Sequence, residues 1–473
     1  MQIMNGHTGL YTDHYELAMA QGYFLNGMEG TRAVFDYFFR ENPYQGGYVV
    51  FAGLEDLMEM LEDYRFSGED CTYLEKLGFD PRFLSYLEKF RIKADVYSVR
   101  EGELVFPFEP SLRVEGGIIE SQLIETLLLN ILNFESLIAT KASRMRQAAG
   151  ERLLLDFGLR RAHGFGGIQA SRAAVLGGFN RTSNVYSAYR SGLSSTGTMA
   201  HSWVQSFKNE LTAFRAFAEF FPDSCILLVD TYDTLRSGVP NAIRVGKEME
   251  SKGQKLLGIR LDSGDLAFLS KKVREMLDEA GLAYVQIVAS NQLDEYVIKS
   301  LSEQSAPVDA FGVGTALVTG HGSGSLDGVY KLSVVNGQPT LKISENLTKI
   351  TLPGRKAIYR FSDEKGLFAA DAVALADEGV PGRIHHPSEP RKSSDLSCYK
   401  GEQILARVMD KGRRVMKPRP AEEISEFARS RLERLPAEHK RFMNPHVYKV
   451  GISSTLLDLR SRLLGDLNHQ DRK

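Results

Sequence analysis

Three apolar runs in the middle of the chain each stop at residues that carry chemistry. Residues 256–262 read LLGIRLD and lead into Ser263-Gly264-Asp265. Residues 285–290 read VQIVAS and meet Asn291, and residues 309–315 read DAFGVGT. They recur at intervals of roughly 25 to 30 residues with helix-like polar stretches between them, the rhythm of βα units that feed a parallel sheet or barrel. Such folds bind their ligands at the carboxyl ends of the strands. The pattern therefore predicts Arg260, Asp262, Ser290, Asn291 and the turn Gly312-Val313-Gly314-Thr315 at one mouth.

The remaining composition narrows the class. The chain has 473 residues, enough for two or three domains, with 43% hydrophobic and 25% charged residues, as in an ordinary globular enzyme. A formal net charge of −2 supplies no field for nucleic acid or anionic membrane. The three cysteines, Cys71, Cys225 and Cys398, lie far apart and form no CxxC pair, which points to neither a zinc site nor a disulfide framework and fits a reducing, cytoplasmic setting. No signal peptide is read at the N-terminus, and the greasiest stretch, 123–137, is too short and too polar to span a bilayer.

Along the chain, residues 13–24 read as a helix with Tyr15, Met19 and Tyr23 on one face, and Tyr15 on these grounds belongs to the core. Residues 31–39 read as a strand, and 95–116 as short strands around turns. A long amphipathic helix is expected over about 120–149, then a buried strand at 152–158 and a helix start at 171–176. Residues 239–253, 265–281 and 294–305 read as helices between strands. Strand-like, turn-rich sequence returns over 325–420, before a charged helical stretch at 421–440. The expected fold class is α/β: an irregular α/β barrel over 119–349, with a smaller α+β sheet or sandwich domain from 1–118 completed by about 350–473.

His201 follows the small residues of Gly197-Thr198-Met199-Ala200, so a large ligand can approach it, and Asp230 and Asp233 end the next apolar run. A histidine whose tautomer is held by a carboxylate can serve as nucleophile or base. A buried histidine bonded to backbone is the other reading. Arg260 and Asp262 stand two apart on one strand and point to the same side, either to a ligand or to an internal salt bridge. The Gly312–Gly314 turn can converge backbone N–H groups on a phosphate, although such a pair is more often only a turn. Phe157 beside Arg160 and Arg161 can clamp a planar anion or be a solvated basic turn. His385-His386 lacks further ligands at metal-binding spacing and reads as loop.

The segments LYTDHYELAMAQGYF, FDYFFRENPYQGGYVVFAGL, FPFEPSLRVEG, LLNFESLIATKASR, DFGLRRA, SRAAVLGGFNRTSNV, GTMAHSW, RLDSGDL, FGVGT, GVYKL and LPGRKAIYR stand in this order. Together they resemble the nicotinate phosphoribosyltransferases, from about residue 8 to about 360 and more weakly to the end. The resemblance implies the type II phosphoribosyltransferase fold and a head-to-tail homodimer with shared active sites. It implies formation of nicotinate mononucleotide and pyrophosphate from nicotinate and 5-phosphoribosyl 1-pyrophosphate in NAD salvage. It also implies ATP as co-substrate and Mg²⁺ carried with the polyphosphates.

By resemblance, His201 is the histidine phosphorylated by ATP and Asp230 orients its ring. Phe157 and a partner's Tyr15 sandwich the pyridine ring, Arg260 stands near its carboxylate, and Arg160 meets a phosphate or that carboxylate. Asp262 contacts the ribose hydroxyls, while Gly312, Gly314 and Thr315, with Ser290 and Asn291, cradle the 5-phosphate. Where related nicotinamide-using enzymes carry an aspartate, this chain has Ser183, a hydroxyl that does not repel nicotinate. The segment His163-Gly164-Phe165-Gly166-Gly167 departs from the family pattern. A nicotinamide-using enzyme and a catalytically idle binding homologue are the alternatives.

Overall fold

The computed structural model describes residues 6–342 and 351–470, so part of the N-terminal stretch and part of the strand-like 325–420 region lie outside the described residues. The chain divides into two compact units, one made of 1–137, 325–419 and 427–473, the other of 138–324 and 420–426.

The first unit is built on strands from both chain ends. The strand Arg32–Phe39 lies between Gly328–Val335 and Leu112–Gly117 in an antiparallel seven-stranded sheet. Ala33, Val34, Phe35, Tyr37 and Phe39 are all buried, so the sheet is covered on both faces at this strand. A six-stranded sheet carries Lys356–Ser362 antiparallel to Phe368–Leu375, which pairs in parallel with Val450–Ser453. Helix Gly68–Lys76 begins in a capping box, with Ser67 and Asp70 each accepting from the other's backbone N–H. Arg360 is wholly buried in this unit, bonded to Glu103, Asp371 and the Leu104 carbonyl.

Helix His14–Leu25 forms where expected, but its buried residues are Glu16, Leu17 and Ala20. Tyr15 is 47% exposed and Met19 39%, so both point outward, whereas Tyr23 on the same face is partly buried against the core. The reason is polar: Glu16 is drawn inward because its carboxylate accepts from Thr12 and from the Thr126 hydroxyl (2.6 Å) and amide (2.9 Å). The long helix expected after residue 120 is divided into Ile118–Leu123 and Glu125–Ala149.

The second unit holds a six-stranded parallel sheet in the order 181–182, 153–156, 310–313, 286–290, 258–261, 226–228. That order is cyclic in sequence: the last strand lies beside the first, and each chain neighbour is a sheet neighbour except at one place. The ladder has a seam between Arg181–Thr182 and Ile226–Leu228. The α/β class and the three parallel strands of the original pattern are as read from sequence. Asp265 caps helix Leu266–Glu279, and Asp294 caps Glu295–Glu303, by accepting backbone N–H groups of their first turns. A side chain at Gly238 would lie 1.8 Å from the Val229 carbonyl oxygen, so only glycine lets the turn Thr234–Gly238 close onto the end of strand Ile226–Leu228. Buried Glu295 holds Lys141 at 2.7 Å and Arg144 at 2.9 Å within this unit. Among the described residues no helix is long and apolar enough to cross a membrane.

Candidate active site at the carboxyl ends of the parallel strands

Register brings the site residues level. Ser290 pairs with Gly312 and Gly312 with Leu155, while Arg260 sits between Leu228 and Val288. Phe157, Ser183, Asp230, Asp262, Asn291 and Gly314 therefore follow the ends of adjacent strands at one edge. A side chain at Gly312 would meet the Phe157 ring at 2.5 Å, so this glycine makes room for the aromatic. Gly314 has no such crowding, its nearest neighbour being the Phe157 carbonyl oxygen at 3.4 Å, and it precedes the short turn Thr315–Val318. Asn291 turns the chain sharply with φ of 90°.

The charged centre is Asp262. Its Oδ1 accepts from Ser290 Oγ at 2.5 Å, and its Oδ2 lies 3.8 Å from both His201 Nε2 and Arg260 Nη2. Arg260 donates from Nη1 to Thr198 Oγ1 at 2.6 Å, and its guanidinium carbon is 6.0 Å from the Phe157 ring centroid. Its Nε is buried with no hydrogen-bond partner among the described residues. Burial lowers the Arg260 pKa, the Asp262 and Asp230 carboxylates oppose that shift, and the nearby Arg160 charge adds to it. Arg160 itself is exposed in the turn Leu159–Arg161.

His201 opens the short helix His201–Gln205, and its Nδ1 lies 3.1 Å from Thr231 Oγ1. The expected hydrogen bond to Asp230 is replaced by this one. Asp230 Oδ2 is taken by the Asp262 amide (2.8 Å) and the Ser263 hydroxyl (2.6 Å), which turn the carboxylate toward the neighbouring strand end. Its Oδ1 is buried with no hydrogen-bond partner among the described residues. Asp233, the other carboxylate after this strand, caps the π turn Thr234–Gly238 instead. A buried polar atom without a partner costs on the order of 1–3 kcal/mol, so two such atoms at one strand-end cluster mark a place prepared for ligand or water.

Asp156, unlike Asp230 and Asp262, is fully buried; it binds the Thr182 hydroxyl at 2.6 Å and the Gly158 amide at 2.8 Å, and its carbonyl accepts from Ser183 N at 2.8 Å. This holds the strand carrying Ser183 against the one carrying Phe157. Asp156, Thr182, Thr198 and Thr231 were not picked out from sequence as site residues, and Ser263 was noted only as following a strand end. Asp156, Thr182, Thr231 and Ser263 adjoin residues that were picked out, whereas nothing in spacing singled out Thr198. Tyr15 lies in the first unit, where burial first, then Glu125 and Glu16, push its phenol up. In the segment that departs from the family pattern, Gly164 has φ of 55° and Phe165 is exposed. Helix Gly166–Leu176 starts within it, five residues before the expected start.

Three family profiles match the chain: the nicotinate phosphoribosyltransferase N-terminal domain over 10–133, the nicotinate phosphoribosyltransferase family over 153–368 and its C-terminal domain over 355–460. A nicotinate phosphoribosyltransferase of Bacillus subtilis is 43% identical over 455 residues, covering 94% of this chain and 92% of its own. The crystal structure of human nicotinic acid phosphoribosyltransferase superposes with a TM-score of 0.86 at 32% identity, covering 96% of this chain and 99% of that one. A nicotinate-nucleotide pyrophosphorylase from Pyrococcus furiosus superposes with a TM-score of 0.71 at 26% identity, covering 90% and 95%.

Proposed function

The chain belongs to the nicotinate phosphoribosyltransferase family, and on that premise we propose that it joins nicotinate to 5-phosphoribosyl 1-pyrophosphate, with ATP coupled to the step through a phosphohistidine at His201. The observation that carries this reading is the convergence, at one strand-end edge, of an aromatic ring (Phe157), a largely buried guanidinium whose Nε has no partner among the described residues (Arg260) and a carboxylate within reach of a histidine (Asp262 and His201). Those groups match a planar ring bearing a carboxylate, a ribose and a phosphoryl donor in turn.

In the proposed reaction the C1–O bond to pyrophosphate breaks as the pyridine nitrogen forms a bond to C1. Little proton transfer is needed, so positioning and charge stabilisation supply the rate. Phe157 supports one face of the ring, and Tyr15 of a second copy covers the other. Arg260 pairs with the ring carboxylate and Arg160 with a phosphate or that carboxylate. Asp262 accepts from the ribose hydroxyls, and the turn Gly312–Thr315 with Ser290 and Asn291 holds the 5-phosphate. Ser183 offers a hydroxyl where a carboxylate would repel nicotinate.

In the coupled step a His201 ring nitrogen attacks the γ-phosphorus of ATP, ADP leaves, and water later cleaves the P–N bond. Among the described residues no three His, Cys, Asp or Glu side chains gather to hold a metal ion. We assign Mg²⁺ to the polyphosphates, whose charge it would neutralise while keeping mostly water and phosphate ligands.

The test gives the purified chain phosphoribosyl pyrophosphate, ATP and Mg²⁺ with either nicotinate or nicotinamide and identifies the products by mass spectrometry. Nicotinate mononucleotide and pyrophosphate are expected. Faster turnover of nicotinamide would overturn the assignment of the base. No mononucleotide from either base would favour an idle binding homologue.

A further inference from the structure

The seam in the parallel ladder is crossed by the segment that ends at His201. Thr196 N donates to the Thr182 carbonyl at 2.9 Å, and Ser195 bridges to Thr182, which fastens the segment to one side of the seam. His201 Nδ1 reaches Thr231 Oγ1, beyond strand Ile226–Leu228, on the other side. Between these two anchorages lies Thr198. Its hydroxyl is 3.3 Å from the Met199 carbonyl, to which it donates, so an oxygen lone pair is left facing Arg260 Nη1 at 2.6 Å. Thr198 thus spends both halves of its hydroxyl, and among the described residues Arg260 has no closer acceptor: Asp262 Oδ2 stands off at 3.8 Å and Nε has none.

A guanidinium is a rigid fork, and holding one nitrogen sets the direction of the others. With Nη1 fixed on Thr198 and Nη2 on the Asp262 side, the freedom of the group to swing is removed. The unpaired Nε edge then keeps one stance relative to the Phe157 ring. The Arg260 side chain is 13% exposed, so solvent does little to hold its stance.

We propose that Thr198 is a positioning residue that sets Arg260 to read the ring carboxylate, and that it ties this recognition to the segment bearing His201. The inference rests on the function proposed above and adds a determinant of base choice. Thr198 touches no reacting atom in this scheme and acts through Arg260.

The test compares Thr198→Val with Thr198→Ser, measuring KM for nicotinate, KM for phosphoribosyl pyrophosphate and the preference for nicotinate over nicotinamide. Losing a hydrogen bond to a charged group should raise KM for nicotinate by about tenfold in Thr198→Val, with less than about a twofold rise for phosphoribosyl pyrophosphate. The preference for nicotinate should fall by about the same factor, since the carboxamide gains least from a fixed cation. Thr198→Ser should return each quantity to within about twofold of the parent. A general loosening of the segment would raise both KM values together and would not be rescued by serine, and either result overturns the inference. So does an unchanged nicotinate KM in Thr198→Val. If the valine variant does not fold, Thr198→Ala against Thr198→Ser carries the same comparison. Parent protein that turns over nicotinate while Thr198→Val matches it removes this inference alone. Parent protein that makes no nicotinate mononucleotide removes the proposed function and this inference with it.

Discussion

Two arginines on strands of different units show opposite uses of a buried charge. Arg360 is saturated: Nε bonds Asp371 at 3.0 Å, Nη1 bonds Glu103, and Nη2 bonds the Leu104 carbonyl at 2.7 Å and Asp371 at 2.5 Å. Burial opposes its charge, yet the Asp371 and Glu103 carboxylates outweigh burial and raise its pKa. Glu103 also receives Arg431 at 2.8 Å, and Arg431 pairs in turn with Glu402 at 2.5 Å, so the cluster is an extended ionic network. Arg260 has one firm bond, one distant carboxylate and a free Nε, and burial wins, lowering its pKa. A fully matched buried cation is a structural element, because removing any partner strands a charge. An incompletely matched one holds free energy that a ligand can release.

Arginine-to-alanine substitutions put that contrast at risk most directly. Arg360→Ala should destabilise the protein by about 3–5 kcal/mol, enough to leave it insoluble or unfolded, because it strands buried Asp371 without its cation and leaves Glu103 with Arg431 alone. Arg260→Ala should keep the thermal midpoint near that of the parent while raising KM for nicotinate by about 10- to 100-fold. Urea unfolding and steady-state kinetics on both variants separate the two roles. An Arg360→Ala protein of parental stability, or an Arg260→Ala protein with parental KM, would erase the distinction.

His201 sharpens the comparison on the unsaturated side. ATP should leave an acid-labile, base-stable phosphoryl group on the parent protein, absent from His201→Ala. The variant should retain slow ATP-independent transfer, since the ring and phosphate contacts remain. Persistent labelling of His201→Ala would show that another nucleophile takes the phosphoryl group.

The smallest expected effect is at Glu16, a buried carboxylate in the first unit whose hydrogen bonds leave it short of the Arg360 case. Burial pushes its pKa from the ordinary 4.5 up to about 7, although bonds from Thr12 and Thr126 oppose the shift and Glu125 adds to it. The folded state keeps a proton that the unfolded chain releases, so its stability contribution is complete below about pH 4.5 and is lost as pH rises toward about 7. Thermal midpoints of the parent should therefore fall relative to Glu16→Gln across that window and level off above it. Parallel curves would remove Glu16 from the account.

Much of the second unit was legible in the chain itself. Apolar runs of strand length with polar ends predicted 258–261, 286–290 and 310–313, since a strand buried on both faces reads as a continuous apolar run. Asp265 and Asp294 announced helix starts because capping is a local matter between a side chain and the next few amides. Arg260, Asp262 and Ser290 came with the strand ends and do converge. Less was legible in the first unit. Tyr15 was placed in the core by its spacing, but helical spacing only names a face, and the buried bonds of Glu16 chose the opposite one.

Local order along the chain therefore determined the α/β class, the strand ends and the residue types that meet there, because backbone periodicity and capping act over a few residues. The collinear family motifs added the reaction to be expected. Only the tertiary structure decided which groups pair. It set Thr231 rather than Asp230 against His201, gave Asp230 to Asp262 and Ser263, and brought Thr198 across the seam to Arg260. Those pairings join positions 30 to 62 residues apart, and they form only when the strands have closed in cyclic order. No pattern within a single strand or helix can encode them.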